Sequence, residues 1–135
     1  MKKSNFKIIY LVLSVSVLYL FVGCSNDDND GSSTPPPSTY EIVFKAEAST
    51  GSTLNMSTFG YDSTLTNVSS IGGTTWTSTS ITAPSSANVA SVSMNAIGAN
   101  VSSTLKVQIY VNGVLKKEGF STGTALAATA QYNLN

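Results

Sequence analysis

From Tyr40 onward the dominant apolar signal has a period of two, and no stretch holds i, i+3, i+4 spacing through three helical turns. Leu105, Val107, Ile109 and Val111 alternate with Lys106, Gln108 and Tyr110, and Asn112-Gly113 follows. A repeat of two puts successive side chains on opposite faces of a strand. An Asn-Gly step tolerates positive φ at both central positions of a type I′ turn, so Val114–Phe120 is expected to return as the second arm of a hairpin. Tyr40, Ile42, Phe44, Ala46 and Ala48 alternate with Glu41, Val43, Lys45 and Glu47, which predicts a half-buried strand with a charged outer face. Leu54, Met56 and Thr58 alternate up to a break at Gly60-Tyr61-Asp62. Ser63–Ser70 carries Leu65 and Val68, Thr74–Thr82 is Thr-rich around Trp76, and Asn88–Ile97 keeps Val92, Met94 and Ala96 in step. Thr124–Leu134, through Leu126, Ala128 and Ala130, reads as the last strand. Twenty-two Ser and 16 Thr, weak helix formers, fill the polar positions. Short strands broken at intervals of about eight to twelve residues predict an all-β fold. The expected architecture is an immunoglobulin-like β-sandwich of about seven to eight antiparallel strands over residues 40–135. Phe44 and Trp76 are the largest candidates for its core.

The first residues follow a different rule. Lys2, Lys3 and Lys7 precede Ile8–Val22, fifteen residues without a charge. As a helix that run spans roughly 22 Å, short of the roughly 30 Å hydrocarbon core of a bilayer. A basic start, a short apolar run and a small residue at its end predict a secretory signal over residues 1–23. A retained membrane helix is the competing reading. Phe21-Val22-Gly23-Cys24 resembles the lipobox of bacterial lipoproteins, with Phe21 where Leu is usual. That resemblance implies cleavage between Gly23 and Cys24 and acylation of Cys24, the chain's single cysteine. Two or more acyl chains, at ~0.8 kcal/mol per buried CH₂, anchor stably where one does not. The partner implied is the lipid bilayer, and the location is the cell envelope, at the outer membrane.

Residues 24–39 read as a linker. Asp27, Asp28 and Asp30 lie just after Cys24. Their charge excludes attraction to an anionic lipid surface. They resemble the acidic surface-export signal of Bacteroidetes lipoproteins; the plainer reading is a solvated spacer. An Asp-rich calcium loop lacks the distal Glu of an EF-hand, since Pro37 stands six residues after Gly31. Pro35-Pro36-Pro37 favours polyproline II at about 3.1 Å per residue, so residues 25–39 reach roughly 45 Å.

Two stretches of the domain resemble the extracytoplasmic domain of the mycobacterial small membrane proteins, the MmpS type. One is Val107-Gln108-Ile109-Tyr110-Val111-Asn112-Gly113-Val114-Leu115-Lys116-Lys117-Glu118, the other Ser121-Thr122-Gly123 with Leu126-Ala127-Ala128-Thr129-Ala130. Tyr40-Glu41-Ile42-Val43 and Trp76 fall in the family's order. The resemblance implies an immunoglobulin-like sandwich outside the cytoplasm and an accessory role beside a lipid exporter. The family's cysteine pair is replaced here by Val107 and Ala130, and its membrane helix by the lipobox.

Chemistry is sparse. The chain has no His, so imidazole base catalysis and His-ligated metal sites are excluded. All seven basic residues are Lys, and residues 40–135 carry four Lys against Glu41, Glu47, Asp62 and Glu118, which argues against nucleic acid. Glu41 and Glu47 share a strand face about 20 Å apart, too far for paired acid–base work. No Ser sits in a Gly-x-Ser-x-Gly elbow, and a Ser/Lys dyad is the one nucleophilic arrangement left open. The domain is therefore read as non-enzymatic, with no catalytic residue, metal or cofactor. The expected role is a binding or accessory module with an envelope protein partner, or alternatively a glycan binder. Tyr110 and Tyr61 are the candidate stacking residues, with Phe120 and Tyr132 as further aromatics. Asp62-Ser63-Thr64 resembles an O-glycosylation acceptor of Bacteroidetes envelope proteins, with Ser63 as the acceptor. For the anchor, Cys24→Ser is expected to abolish labelling by a fatty-acid analogue in cells. Labelling that persists in this variant counts against the lipobox.

Overall fold

A computed structural model describes Pro35 and residues 37–135. Nine strands follow one another: β1 (Thr39–Ala48), β2 (Thr53–Tyr61), β3 (Thr64–Ser69), β4 (Thr75–Thr77), β5 (Ile81–Pro84), β6 (Val89–Ile97), β7 (Thr104–Val111), β8 (Val114–Thr122) and β9 (Ala125–Asn133). They form two antiparallel sheets packed as a sandwich. In the first, β7 and then β8 lie on one side of β1, while β5 and β4 share its other side, β5 along the first half and β4 along the second. The second sheet runs β3-β2-β6-β9.

The alternation read from the sequence sets the inner faces. Ile42, Phe44, Ala46 and Ala48 of β1 face Ala90, Val92, Met94 and Ala96 of β6 and Leu126, Ala128 and Ala130 of β9 across the core. Leu105, Val107, Ile109 and Val111 of β7 complete it. Val107 and Ala130 both point inward from opposite sheets. The β7–β8 hairpin turns at Asn112 (φ 51°) and Gly113 (φ 77°), the pair of positive φ angles an Asn-Gly turn accommodates.

Three rings join the sheets. Phe44 of β1 and Phe59 of β2 meet with centroids 5.5 Å apart, and Trp76 of β4 stands edge-on to Phe59 at 5.0 Å. Tilted and edge-to-face contacts suit the ring quadrupoles and add about 0.5–1.5 kcal/mol per pair beyond buried area. Phe44 is fully buried, whereas Trp76 is half-buried at the margin of the core.

Two departures from the sequence reading have local causes. The Thr74–Thr82 segment is two short strands, because Ser78 turns inward between them. Its N–H donates to the Phe44 carbonyl (2.9 Å), and its Oγ accepts the Phe44 N–H (3.0 Å). Residues 54–58 do not alternate as expected. A bulge between Leu54 and Met56 inserts one residue, so Leu54 is buried, Met56 is exposed, and Ser57 and Phe59 point inward. One extra residue moves everything beyond it to the opposite face. The buried Ser57 hydroxyl is satisfied by the Ser93 carbonyl at 3.1 Å. Strand β2 also continues through Gly60 and Tyr61, and the chain reverses only at Asp62-Ser63.

At one margin the sheets almost touch. A Cβ on Gly119 of β8 would lie 2.0 Å from the Thr129 carbonyl oxygen of β9, and the Ser121 hydroxyl accepts the Ala127 N–H at 3.1 Å. Phe44→Ala is expected to lower unfolding free energy by about 3–5 kcal/mol in urea titration, and Gly119→Ala to destabilise by forcing β8 off β9. Met56→Ser, on the solvent side of the bulge, is expected to stay within about 0.5 kcal/mol of the parent. A large loss at Met56 would contradict the bulged register.

Candidate functional site

Strand direction gives the sandwich two unlike ends. The chain enters at Thr39, beside the Asn112-Gly113 and Asp62-Ser63 turns and the C-terminal residues. The opposite end gathers the 49–52, 70–74, 98–103 and 123–124 connections, tied by main-chain bonds such as Ser49 N–H to Thr104 O (2.9 Å) and Gly98 N–H to Thr124 O (2.8 Å). That far end also carries the most exposed large apolar side chains: Ile97, Val101 and Phe120 are 63%, 81% and 66% exposed.

On the outer face of the first sheet, Glu47, Lys106 and Phe120 stand in one cross-strand row at this end. The Lys106 Nζ lies 3.0 Å from Glu47 Oε2. Ser49 and Thr104 flank the row, and with Ala48 these residues line a groove of about 300 Å³. Its floor is an ion pair bordered by hydroxyls, and its wall is a phenyl ring in solvent. The hydrogen bond and charge of Glu47, with smaller help from Glu118 and Tyr110, hold the Lys106 ammonium above the ordinary lysine value of 10.5. The stabilisation that the raised Lys106 pKa represents is present below the ordinary lysine value of 10.5 and is lost as pH climbs through the higher folded value.

The next rows continue the pattern. The Gln108 amide donates to Glu118 at 2.6 Å, and the Lys45 ammonium sits 4.5 Å from the Tyr110 ring centroid. Seven of the domain's eight charged side chains lie on β1, β7 and β8, and the eighth, Asp62, lies at a turn. The second sheet's strands carry none. A groove of about 320 Å³ at its far end is lined by Asn95, Ala96, Ile97 and residues 124–127, all uncharged.

The residues singled out from sequence fall in separate places. Tyr110 is half-buried on the outer face of the first sheet, under Lys45. Tyr61 belongs to the second sheet and packs against the core margin. The two tyrosines therefore share no surface. Tyr132 also packs on the core margin, with the Lys116 ammonium 6.0 Å from its ring. Ser63 is exposed at the tip of the β2–β3 turn. Its neighbour Asp62 (φ 47°) accepts the N–H groups of Asn88 and Val89 at 3.1 and 3.0 Å, clasping the loop before β6. Gly23, Cys24, Asp27, Asp28 and Asp30 lie outside the described residues. The Glu47–Lys106–Phe120 row was not foreseen, because alternation placed each residue on an outer face without telling which strands adjoin.

No family model matches the chain, and no curated protein is significantly similar to it. The site therefore stands on its own geometry. Replacing Phe120 by Ala is expected to change stability by under about 0.5 kcal/mol, as for surface positions outside the core, measured by thermal or urea unfolding. A larger loss would make Phe120 a structural residue and remove it from the candidate site.

Proposed function

We propose that this chain is a non-enzymatic lipoprotein of the bacterial cell envelope, held to the outer membrane through acylated Cys24, with the sandwich serving as a binding or accessory module. The anchor rests on the sequence: a lone cysteine at the close of a short apolar run after three lysines. The single observation that carries the binding role is Phe120, 66% exposed beside the Glu47–Lys106 pair at the end of the sandwich opposite Thr39. A large ring exposed beside an ion pair and hydroxyls, all lining one groove, supports a recognition surface. The accessory role beside a transport or surface assembly follows the MmpS resemblance.

A carbohydrate-binding lipoprotein is the second reading, favoured by the groove's chemistry. A pyranose stacks an apolar face on a ring while its hydroxyls take bonds from carboxylate, ammonium and hydroxyl groups, and Phe120, Glu47, Lys106, Ser49 and Thr104 supply these. Two experiments separate the readings. Pull-down from crosslinked envelopes with the tagged full chain is expected to retain a defined membrane assembly, and Phe120→Ala to release it. On a glycan panel, the sugar reading expects saturable binding that weakens about tenfold or more, roughly 1.4 kcal/mol, in Phe120→Ala. Silence across the panel eliminates the sugar, and capture insensitive to Phe120 removes the groove from the accessory role.

A further inference from the structure

We propose that the outer edge of β3 pairs antiparallel with β3 of a second copy of this chain, centred on Asn67, so that β3-β2-β6-β9 continues across a two-fold axis as an eight-stranded sheet. Strand β3 is bonded on one side to β2, and among the described residues nothing pairs with its other side. Its sequence, Thr64-Leu65-Thr66-Asn67-Val68-Ser69, contains no charge and no proline. Those are the devices that keep sheet edges from pairing.

The other edges of the sandwich have such protection. The β4/β5 edge is two strands of three and four residues with an interruption at Ser78 and Pro84 at its end. Strand β8 carries Lys116, Lys117 and Glu118, has a register shift opposite Ile109/Tyr110, and leans onto β9 through Gly119. That same contact, with the Ser121–Ala127 bond, covers the flank of β9. Only β3 offers an unguarded run among the described residues.

A second copy fits this edge for two reasons. Self-pairing brings identical patches together, so any charge would meet its like; here neither β3 nor the other strands of its sheet carry one. The register also closes on itself. Tyr61 and Thr64 flank the two-residue Asp62-Ser63 turn as a bonded pair, and antiparallel bonding alternates from there. Leu65, Asn67 and Ser69 therefore turn their main-chain groups to the free edge. Centring on Asn67 pairs it with its copy and Leu65 with Ser69 of the other chain, so all three residues bond. Centring on Thr66 engages only Leu65 and Asn67. A contact of this length buries well under the ~1,200 Å² of a tight complex, which places it in the weak, concentration-dependent class.

The test uses the full chain in detergent. In the proposed register the two residues at position 67 have Cα atoms about 5.5 Å apart, within disulfide reach. Under mild oxidation Asn67→Cys is expected to give a crosslinked dimer absent from the parent chain and from Gln131→Cys on the far strand of the same sheet. A mixture of Leu65→Cys and Ser69→Cys chains is expected to crosslink with each other, which keeps the test decisive if position 67 tolerates no change. In sedimentation at rising concentration the parent is expected to dimerise, and Asn67→Lys, which opposes two ammonium groups at the axis, to weaken that by about tenfold or more with unchanged circular dichroism. Crosslinking no faster than Gln131→Cys overturns the proposal. So does association that Asn67→Lys leaves intact, or a parent that stays monomeric and instead takes up a foreign extended peptide along β3.

Discussion

Eight of the twenty buried apolar side chains are alanines, so the sheets close over small residues and depend on a few large ones to bridge them. Phe44, Phe59 and Trp76 form that bridge, one ring from each of β1, β2 and β4. Its geometry requires the bulge in β2: were the same sequence paired without it, strict alternation from Leu54 would turn Phe59 to solvent and Phe44 would lose its partner. Ser78 adds a second lock by bonding both main-chain groups of Phe44. Small side chains also let the sheets converge at one margin, where Gly119 leaves room for the Thr129 carbonyl. A core of this kind trades the redundancy of many large side chains for close sheet approach, so its stability concentrates in a few positions.

The two sheets then divide the surface chemistry. The first carries nearly all the charge, and four of its charged side chains have partners within the sheet: Lys106 with Glu47, Glu118 with Gln108, and Lys45 with Tyr110. Such exposed contacts contribute little to stability in water. Of the three, the Glu47–Lys106 pair stands in the same cross-strand row as Phe120. The second sheet is uncharged throughout its strands and ends in an unguarded edge. A polar, charged-and-aromatic groove on one sheet and a neutral, bondable edge on the other suit different partners, so ligand and second copy need not compete.

Much of the strand content was legible because the apolar side chains keep a strict period where a strand lies over the core. Strands β1, β6 and β7 each present four buried apolar residues in step and β9 three, and the Asn112-Gly113 turn carries its own conformational signature. Legibility failed at the margins. Met56 looked inward because period two cannot register an inserted residue, and Thr74–Thr82 looked continuous because Ser78 shows its purpose only against Phe44. The candidate groove was illegible for a related reason. Glu47, Lys106 and Phe120 are separated along the chain and meet only through the pairing of β7 with both β1 and β8.

The amino-acid sequence by itself determined that the chain from Tyr40 onward is built of strands, which side of most of them is apolar, and that charge is scarce, since these follow from local periodicity and composition. Its N-terminal pattern also carries the whole argument for an anchor at Cys24. Only the tertiary structure decided which strands adjoin, where the bulge resets the inward face, and which edge is left without a partner. Those outcomes depend on contacts between residues far apart in the chain, and a periodicity of two is the same whichever neighbour a strand acquires.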